Sequence, residues 1–174
     1  MTSSSRQIFL HGTLGFRQFK EVLSNLLIGL VLCSDDIWMV SPWVTDFQLL
    51  DNRSGDWDSI QPEWGPRFIH MSELLVLAVN SGCKLNLVTK SSEINDNFLK
   101  KLTENIENRE DFNLVISDQL HTKGLLCSSF FLAGSLNFTY SGTSKNDECI
   151  QLITNTKSIS EAKLEFEHHY NSGS

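Results

Sequence analysis

His121-Thr122-Lys123 opens the stretch that decides how this chain is read. It continues as Gly124-Leu125-Leu126-Cys127, Ser128-Ser129 and Phe130-Phe131-Leu132-Ala133, and closes on Gly134-Ser135-Leu136-Asn137-Phe138-Thr139. Two short apolar runs joined by a serine turn predict a β-hairpin, residues 123–127 against 130–133. Residues two apart on a strand share a face, so His121 and Lys123 are expected to point the same way, an imidazole beside an ammonium. The hairpin returns Gly134 and Ser135 to that place, and glycine lacks the Cβ that would obstruct close approach. Asn137 adds a neutral donor. These groups suit a phosphodiester: a nucleophile for phosphorus, and cationic and amide donors for the charge on its non-bridging oxygens. With Lys123 and Asn137 as donors, neither a metal nor another cofactor is expected.

Upstream, apolar residues fall at Phe19, Val22, Leu23, Leu26, Leu27, Leu30 and Val31, the stripe of an amphipathic helix. Ser34-Asp35-Asp36 ends it. Residues 37–40 read as a buried strand that finishes near Pro42, which cannot donate to a sheet ladder. Residues 51–66 read as an irregular loop whose Trp57 and Trp64 either cap the core or line a cleft. A helix at 71–80, a strand at 84–89, a helix at 95–108 and a strand at 112–116 follow. Downstream of the hairpin come a helical turn near Leu136, a strand at 148–153 and a helix at 160–170. Alternation of this kind predicts an α/β fold, a mixed sheet between two helical layers, with residues 1–174 as one domain.

The chain has 174 residues and a formal net charge of −7. That balance excludes a broad basic face of the kind that grips duplex DNA by phosphate neutralisation, while leaving room for a small site with a few local cations. Cys33, Cys83, Cys127 and Cys149 show no C-x-x-C pairing or zinc spacing, and a reduced, cytoplasmic protein is expected. No signal-peptide pattern is seen at the N-terminus, and the run 26–33 is too short to span a bilayer, so integral membrane association is not expected. Asn137-Phe138-Thr139 matches a glycosylation sequon but lacks an export signal to make it meaningful.

At His121-x-Lys123 and Gly134-Ser135-x-Asn137 the chain resembles the phospholipase D superfamily, whose hallmark is H-x-K-x4-D followed by G-S-x-x-N or a close variant. Asn146-Asp147-Glu148 is similar to the family's downstream acidic position. The resemblance implies a phospholipase D-like fold and a covalent mechanism. His121 would form a phosphohistidine, Lys123 and Asn137 would hold the phosphate oxygens with Ser135 assisting, and Glu148 would orient the imidazole. Gly134 and Thr139 would line the substrate. Members with a single H-x-K motif pair as homodimers, so the His121 of a second copy would serve as general acid and base. The family's motif aspartate falls at position 128, which is Ser128 here, and the spacing to the glycine is one residue short.

Small single-motif relatives imply a nucleic-acid substrate, DNA first. The segment 41–44, the tryptophan-rich loop and residues 134–139 are also similar to the phospholipase D-like component of bacterial 7-deazaguanine DNA-modification clusters. That similarity implies a DNA-modification or phage-defence setting with defence-system proteins as partners. A lipid phosphodiesterase is the second reading, and a binding or scaffold module without turnover, motivated by Ser128, the third. Away from the motif, His11 and His70 read as structural, His168-His169 and Lys100-Lys101 as solvated helix faces, and Arg67 and Lys90 as lesser candidates for phosphate contact.

Overall fold

The apolar run Ile37–Val40 is buried along its whole length, and its side chains divide between two cores: Ile37 and Met39 on one face, Trp38 and Val40 on the other. A strand buried on both sides belongs at the centre of a covered sheet. In the computed structural model, which describes residues 5–171, it is an interior strand of a seven-stranded mixed sheet.

The strands are β1 (Ser5–Leu10), β2 (Asp36–Val40), β5 (Lys84–Thr89), β6 (Phe112–Ile116), β7 (Gly124–Leu126), β8 (Phe131–Gly134) and β9 (Glu148–Ile153), in the spatial order β1-β9-β8-β7-β2-β5-β6. β2, β5 and β6 run parallel; the other pairings are antiparallel. A separate antiparallel pair joins β3 (Gln48–Asp51) to β4 (Phe68–His70). The helices are α1 (Gly12–Leu32), α2 (Met71–Asn80), α3 (Glu93–Asn105), the short α4 (Tyr140–Ser144) and α5 (Thr156–Asn171).

One face carries α1, α2 and α3, whose Phe19, Leu23, Leu27, Leu74, Leu75, Phe98 and Leu102 are fully buried. The other face carries α5. There Phe166 and Tyr170 lie 6.1 and 6.4 Å from Trp38, and Phe166 meets Phe131 edge-on at 5.8 Å. The sheet between two helical layers is thus observed. Among the described residues no helix is long and apolar enough to cross a membrane. The ends of the 1–174 span, and the first part of the stretch scanned for a leader, lie outside the described residues.

Several boundaries move. β1 and the β3–β4 pair have no counterpart in the sequence pattern, because short strands with mixed faces lack a clear period. α1 starts well before Phe19. Its Gly15 is where the helix crosses β1: a Cβ there would sit 2.6 Å from the Phe9 carbonyl oxygen. Trp64 is buried in the core, and Trp57 packs half-buried against it. The helical turn expected near Leu136 begins instead at Tyr140. Lys101 is not merely solvated. Its ammonium reaches Asp46 at 2.7 Å, and Asp46 also accepts from the Ser72 amide and hydroxyl.

The β7–β8 turn also departs from the family pattern in an instructive way. The Ser128 amide and hydroxyl both donate to the Asp35 carboxylate, so a carboxylate from the chain before β2 occupies the neighbourhood of the missing motif aspartate. Ser128 follows β7, whereas His121 precedes it, so the two lie beyond opposite ends of that strand.

A buried polar stitch holds the exit of β2. Asn95 is fully buried; its Oδ1 accepts from Val44 N at 2.9 Å, and its Nδ2 faces Thr89 Oγ1 and the Lys90 carbonyl, both at 2.8 Å, with Pro42 O at 3.2 Å. Removing the amide would strand several buried groups, each costing about 1–3 kcal/mol. Asn95→Ala is therefore expected to lose about 2–4 kcal/mol in urea denaturation, and a loss under about 0.5 kcal/mol would refute the role.

Acid should expose the second tie. Burial pushes the Asp35 carboxyl up, but the Ser128 hydroxyl and amide and the Asp36 amide outweigh it, leaving Asp35 below the ordinary range. A depressed folded value means stability that is present above the unfolded pKa of about 3.9 and is lost as pH falls through the folded value. Urea midpoints should fall more steeply below about pH 4 in the parent than in Asp35→Asn; parallel falls would count against this account.

Candidate active site

Parallel β2 and β5 end at Val40 and Thr89, and antiparallel β7 begins at Gly124 opposite Val40. Gly124 pairs with Ala133, Gly134 with Ile150, and Glu148 with Leu10. The register therefore brings the entry of β7, the exit of β8, the entry of β9 and the exit of β1 to one edge of the sheet. That edge lies at the carboxyl ends of the parallel strands, where open α/β sheets bind ligands.

His121 and Lys123 lie just before β7 rather than within it, so the alternation argument does not set their directions. Their positions come from the connection they end. Ser117 N bonds the Thr89 carbonyl at 2.9 Å, and Leu120 N bonds the Ser117 carbonyl at 3.1 Å. The Leu120 side chain is buried in the cluster of Trp38, Phe166 and Tyr170. Burial pushes the Tyr170 phenol up, with a hydrogen bond from the Thr122 side chain opposing it. His121, between these anchors, is exposed. The Lys123 ammonium donates to the His121 carbonyl at 2.6 Å.

Gly134 leads into the second half of the site where no side chain fits: a Cβ there would fall 2.2 Å from the Cys149 carbonyl oxygen. Ser135 then fastens to β9. Its amide bonds Cys149 O at 3.1 Å, its hydroxyl oxygen accepts from Cys149 N at 3.1 Å, and that hydroxyl donates to Glu148 Oε2. Asn137 is reached from the other side. The buried Ser41 hydroxyl donates to Trp43 O at 2.7 Å, has Asn137 Oδ1 at 3.5 Å, and accepts from Phe138 N at 3.3 Å. Val44 and Phe138 form an isolated parallel bridge, with Thr45 N on Phe138 O at 2.9 Å. The Asn137 Nδ2 hydrogens have no acceptor among the described residues.

Two expected contacts take another form. Glu148 is joined to Ser135, and no hydrogen bond links it to His121 within the chain. The Thr139 hydroxyl caps α4, accepting from Gly142 N at 3.0 Å, so it holds the helix start that follows Asn137.

The edge also gathers residues that the sequence pattern leaves aside. His11 follows β1; its Nδ1 lies 3.3 Å from Asp147 Oδ1, and its ring stacks on Phe9 at 5.7 Å. Only the β1–β9 register brings it there, and no spacing in the sequence signals it. Lys90, just past β5, places its ammonium 5.5 Å from the Trp43 ring centroid. Arg67, by contrast, is engaged by Glu73 at 2.5 Å and by the Trp64 and Phe68 carbonyls. His70 begins α2, its amide donating to Glu73 Oε2 at 3.0 Å. Chemically the edge offers two exposed imidazoles, His121 and His11, two ammonium groups, an amide donor, the serine-tethered Glu148 carboxylate and Asp147 beside His11.

Solved structures share this architecture. Nuc from Salmonella typhimurium, a phospholipase D family member, superposes with a TM-score of 0.63 at 17% identity, over 97% of this chain and 94% of that one. NucT from Helicobacter pylori gives 0.62 at 11% identity, over 94% of each chain. The phosphatidylserine synthase of Haemophilus influenzae gives 0.57 at 12% identity, over 94% of this chain and 37% of that one. At such identities the likeness is one of fold. Among curated proteins none matches the chain by sequence. The family profile described as "Cardiolipin synthase, PLD-like domain" matches residues 60–170, well over half of the chain and all of the stretch from His121 to Glu148. A profile match of that extent, on a sheet that carries the H-x-K and G-S-x-N segments to a common edge, decides the matter: the chain belongs to the phospholipase D-like family.

Proposed function

We propose that residues 1–174 form one catalytic domain that hydrolyses a phosphodiester in nucleic acid, DNA first, through a phosphohistidine and without a metal ion. The observation that supports this reading is the register, which brings to one sheet edge the strand ends beside which His121, Lys123, Ser135, Asn137 and Glu148 lie.

In the first step a ring nitrogen of His121 attacks phosphorus. The P–N bond forms as the P–O bond to the leaving oxygen breaks, and that oxygen takes a proton from the His121 of a second copy. In the second step the same imidazole, now neutral, accepts a proton from water as the water oxygen attacks phosphorus and the P–N bond breaks. Lys123 and Asn137 stabilise the charge on the non-bridging oxygens. Gly134, exposed at the end of β8, and Thr139, which caps α4, border the substrate. Ser135 holds Glu148, whose other oxygen is left for an imidazole, fixing ring orientation as a carboxylate partner does in other nucleophile systems.

One chain contributes one H-x-K imidazole, so two copies meet about a two-fold axis at this edge. The exposure of His121 supports that arrangement. The four free cysteines fit a reducing, cytoplasmic setting. The bacterial DNA-modification or phage-defence setting, with defence-system proteins as partners, rests on the sequence resemblance of segment 41–44, the tryptophan-rich loop and segment 134–139. The description of the matching family profile favours lipid phosphodiester hydrolysis as the second reading.

Cleavage of single- and double-stranded DNA should persist in EDTA and yield an acid-labile phosphohistidine on His121. His121→Ala should lower the rate by at least about a thousandfold and Lys123→Met by about a hundredfold. Equal cutting by the His121 variant refutes the mechanism, and faster release of head group from phosphatidylcholine vesicles than of nucleotides from DNA reverses the order of the two readings. The shared site makes a separate claim: specific activity should decline on dilution together with the dimer fraction measured by ultracentrifugation. Full activity in a monomer contradicts it.

A further inference from the structure

A cleft of about 610 Å³ runs between α1 and the β3–β4 pair, within the size range of sites that bury small organic ligands. Thr13 and Ser144 both line it. Thr13 lies two residues beyond His11, and Ser144 ends the helix that Thr139 caps, so the cleft opens beside the edge that carries His121 and Asn137. Its walls combine three kinds of group. Phe16 and Trp57 offer half-buried aromatic surface. Asn25 and Gln48 are exposed amides with both donor and acceptor atoms. Lys20 is a cation in a half-buried setting, 5.8 Å from the Phe47 ring centroid.

The charges sort themselves. Arg17 faces Glu21 at 3.5 Å, and Asp51 is bound by Arg53 at 2.8 Å, which leaves both carboxylates matched. No carboxylate among the described residues is in ion-pair contact with Lys20, and burial pulls its ammonium below the ordinary lysine range. An anion brought near would relieve that cost. Aromatic faces for stacking, amides for a hydrogen-bonding edge and one unmatched cation are the chemistry of single-stranded nucleic-acid recognition. An acyl chain asks instead for unbroken apolar lining, which Lys20, Asn25 and Gln48 interrupt.

We propose that this cleft is a nucleotide subsite: it holds a base of a single-stranded nucleic acid next to the scissile phosphodiester, with Trp57 and Phe16 on the base face, Asn25 and Gln48 on its edge and Lys20 on a backbone phosphate. The proposal rests on the nucleic-acid reading of the neighbouring site. It also accounts for how a chain of net charge −7 retains such a substrate, since stacking supplies affinity that phosphate neutralisation does not.

The test uses a short fluorescein-labelled single-stranded oligodeoxynucleotide and the His121→Ala protein, which prevents turnover. Adding Trp57→Ala or Lys20→Glu should each raise Kd about tenfold, with melting curves showing that the variants are folded. Log Kd should vary with log salt by a slope of about 1.4, for Lys123 on the scissile phosphate and Lys20 on its neighbour, and Lys20→Glu should lower that slope by about 0.7. Independently of those variants, an iodouracil-substituted oligonucleotide irradiated on the His121→Ala protein should crosslink to Phe16, Trp57 or Phe68 by peptide mapping. Unchanged Kd in folded variants, crosslinks confined to other elements, or displacement of the oligonucleotide by phosphatidylglycerol vesicles would overturn the subsite. Hydrolysis of bis-para-nitrophenyl phosphate by the unaltered protein separates the two claims. Turnover with Trp57-independent binding sinks the subsite alone; Trp57-dependent binding without turnover sinks the reaction alone.

Discussion

The arrangement of this molecule depends on how its central strand is allowed to end. β2 leaves the sheet between two cores, where unpaired backbone groups are costly, so every amide and carbonyl in segment 41–45 needs a partner. Backbone groups of Val88 and Phe138 take the Ser41 and Thr45 amides, and the buried side chains of Asn95 and Ser41 serve Val44 N, Pro42 O and Trp43 O. The same two residues decide where other parts of the chain lie. Asn95 ties the exit of β2 to the exit of β5, and Ser41 ties it to Phe138. Asn137, one residue before that bond, is thereby placed at the edge by polar satisfaction in the interior rather than by its own contacts.

The His121 side of the edge is supported by a different mechanism, apolar packing from the opposite layer. Leu120 enters the cluster built by Trp38, Phe166 and Tyr170, and the next residue is His121. Helix α5 therefore acts on the candidate nucleophile without touching it. One half of the site hangs on hydrogen bonds and the other on aromatic burial. These respond differently to substitution: loss of a buried polar partner leaves orphan groups, whereas loss of a packed side chain leaves a cavity.

Charge is the other constraint. An acidic chain that handles an anionic substrate lacks long-range attraction and relies on groups in place at the point of contact. Lys123, Lys90 and Lys20 are such groups, each beside the edge or the cleft that adjoins it. Elsewhere the cations are largely matched, as Lys101 is by Asp46 and Arg67 by Glu73.

Local pattern alone carries the layered α/β plan, the long stripe of α1, the β7–β8 hairpin and the pairing of an H-x-K segment with a G-S-x-N segment. Each of these depends on residues close in the chain, where periodicity and turn chemistry are written directly. What the pattern could not hold are facts created by register between distant strands. The β1–β9 ladder brings His11 to Asp147; the chain before β2 brings Asp35 to Ser128; the β8–β9 ladder joins Ser135 to Glu148. That Thr139 caps α4, which begins one residue later, is likewise seen only in the fold. The amino-acid sequence by itself determined which chemical groups are present and which local elements carry them. Only the tertiary structure decided which groups meet, because those meetings span 13, 93 and 136 positions of chain, beyond any short-range period.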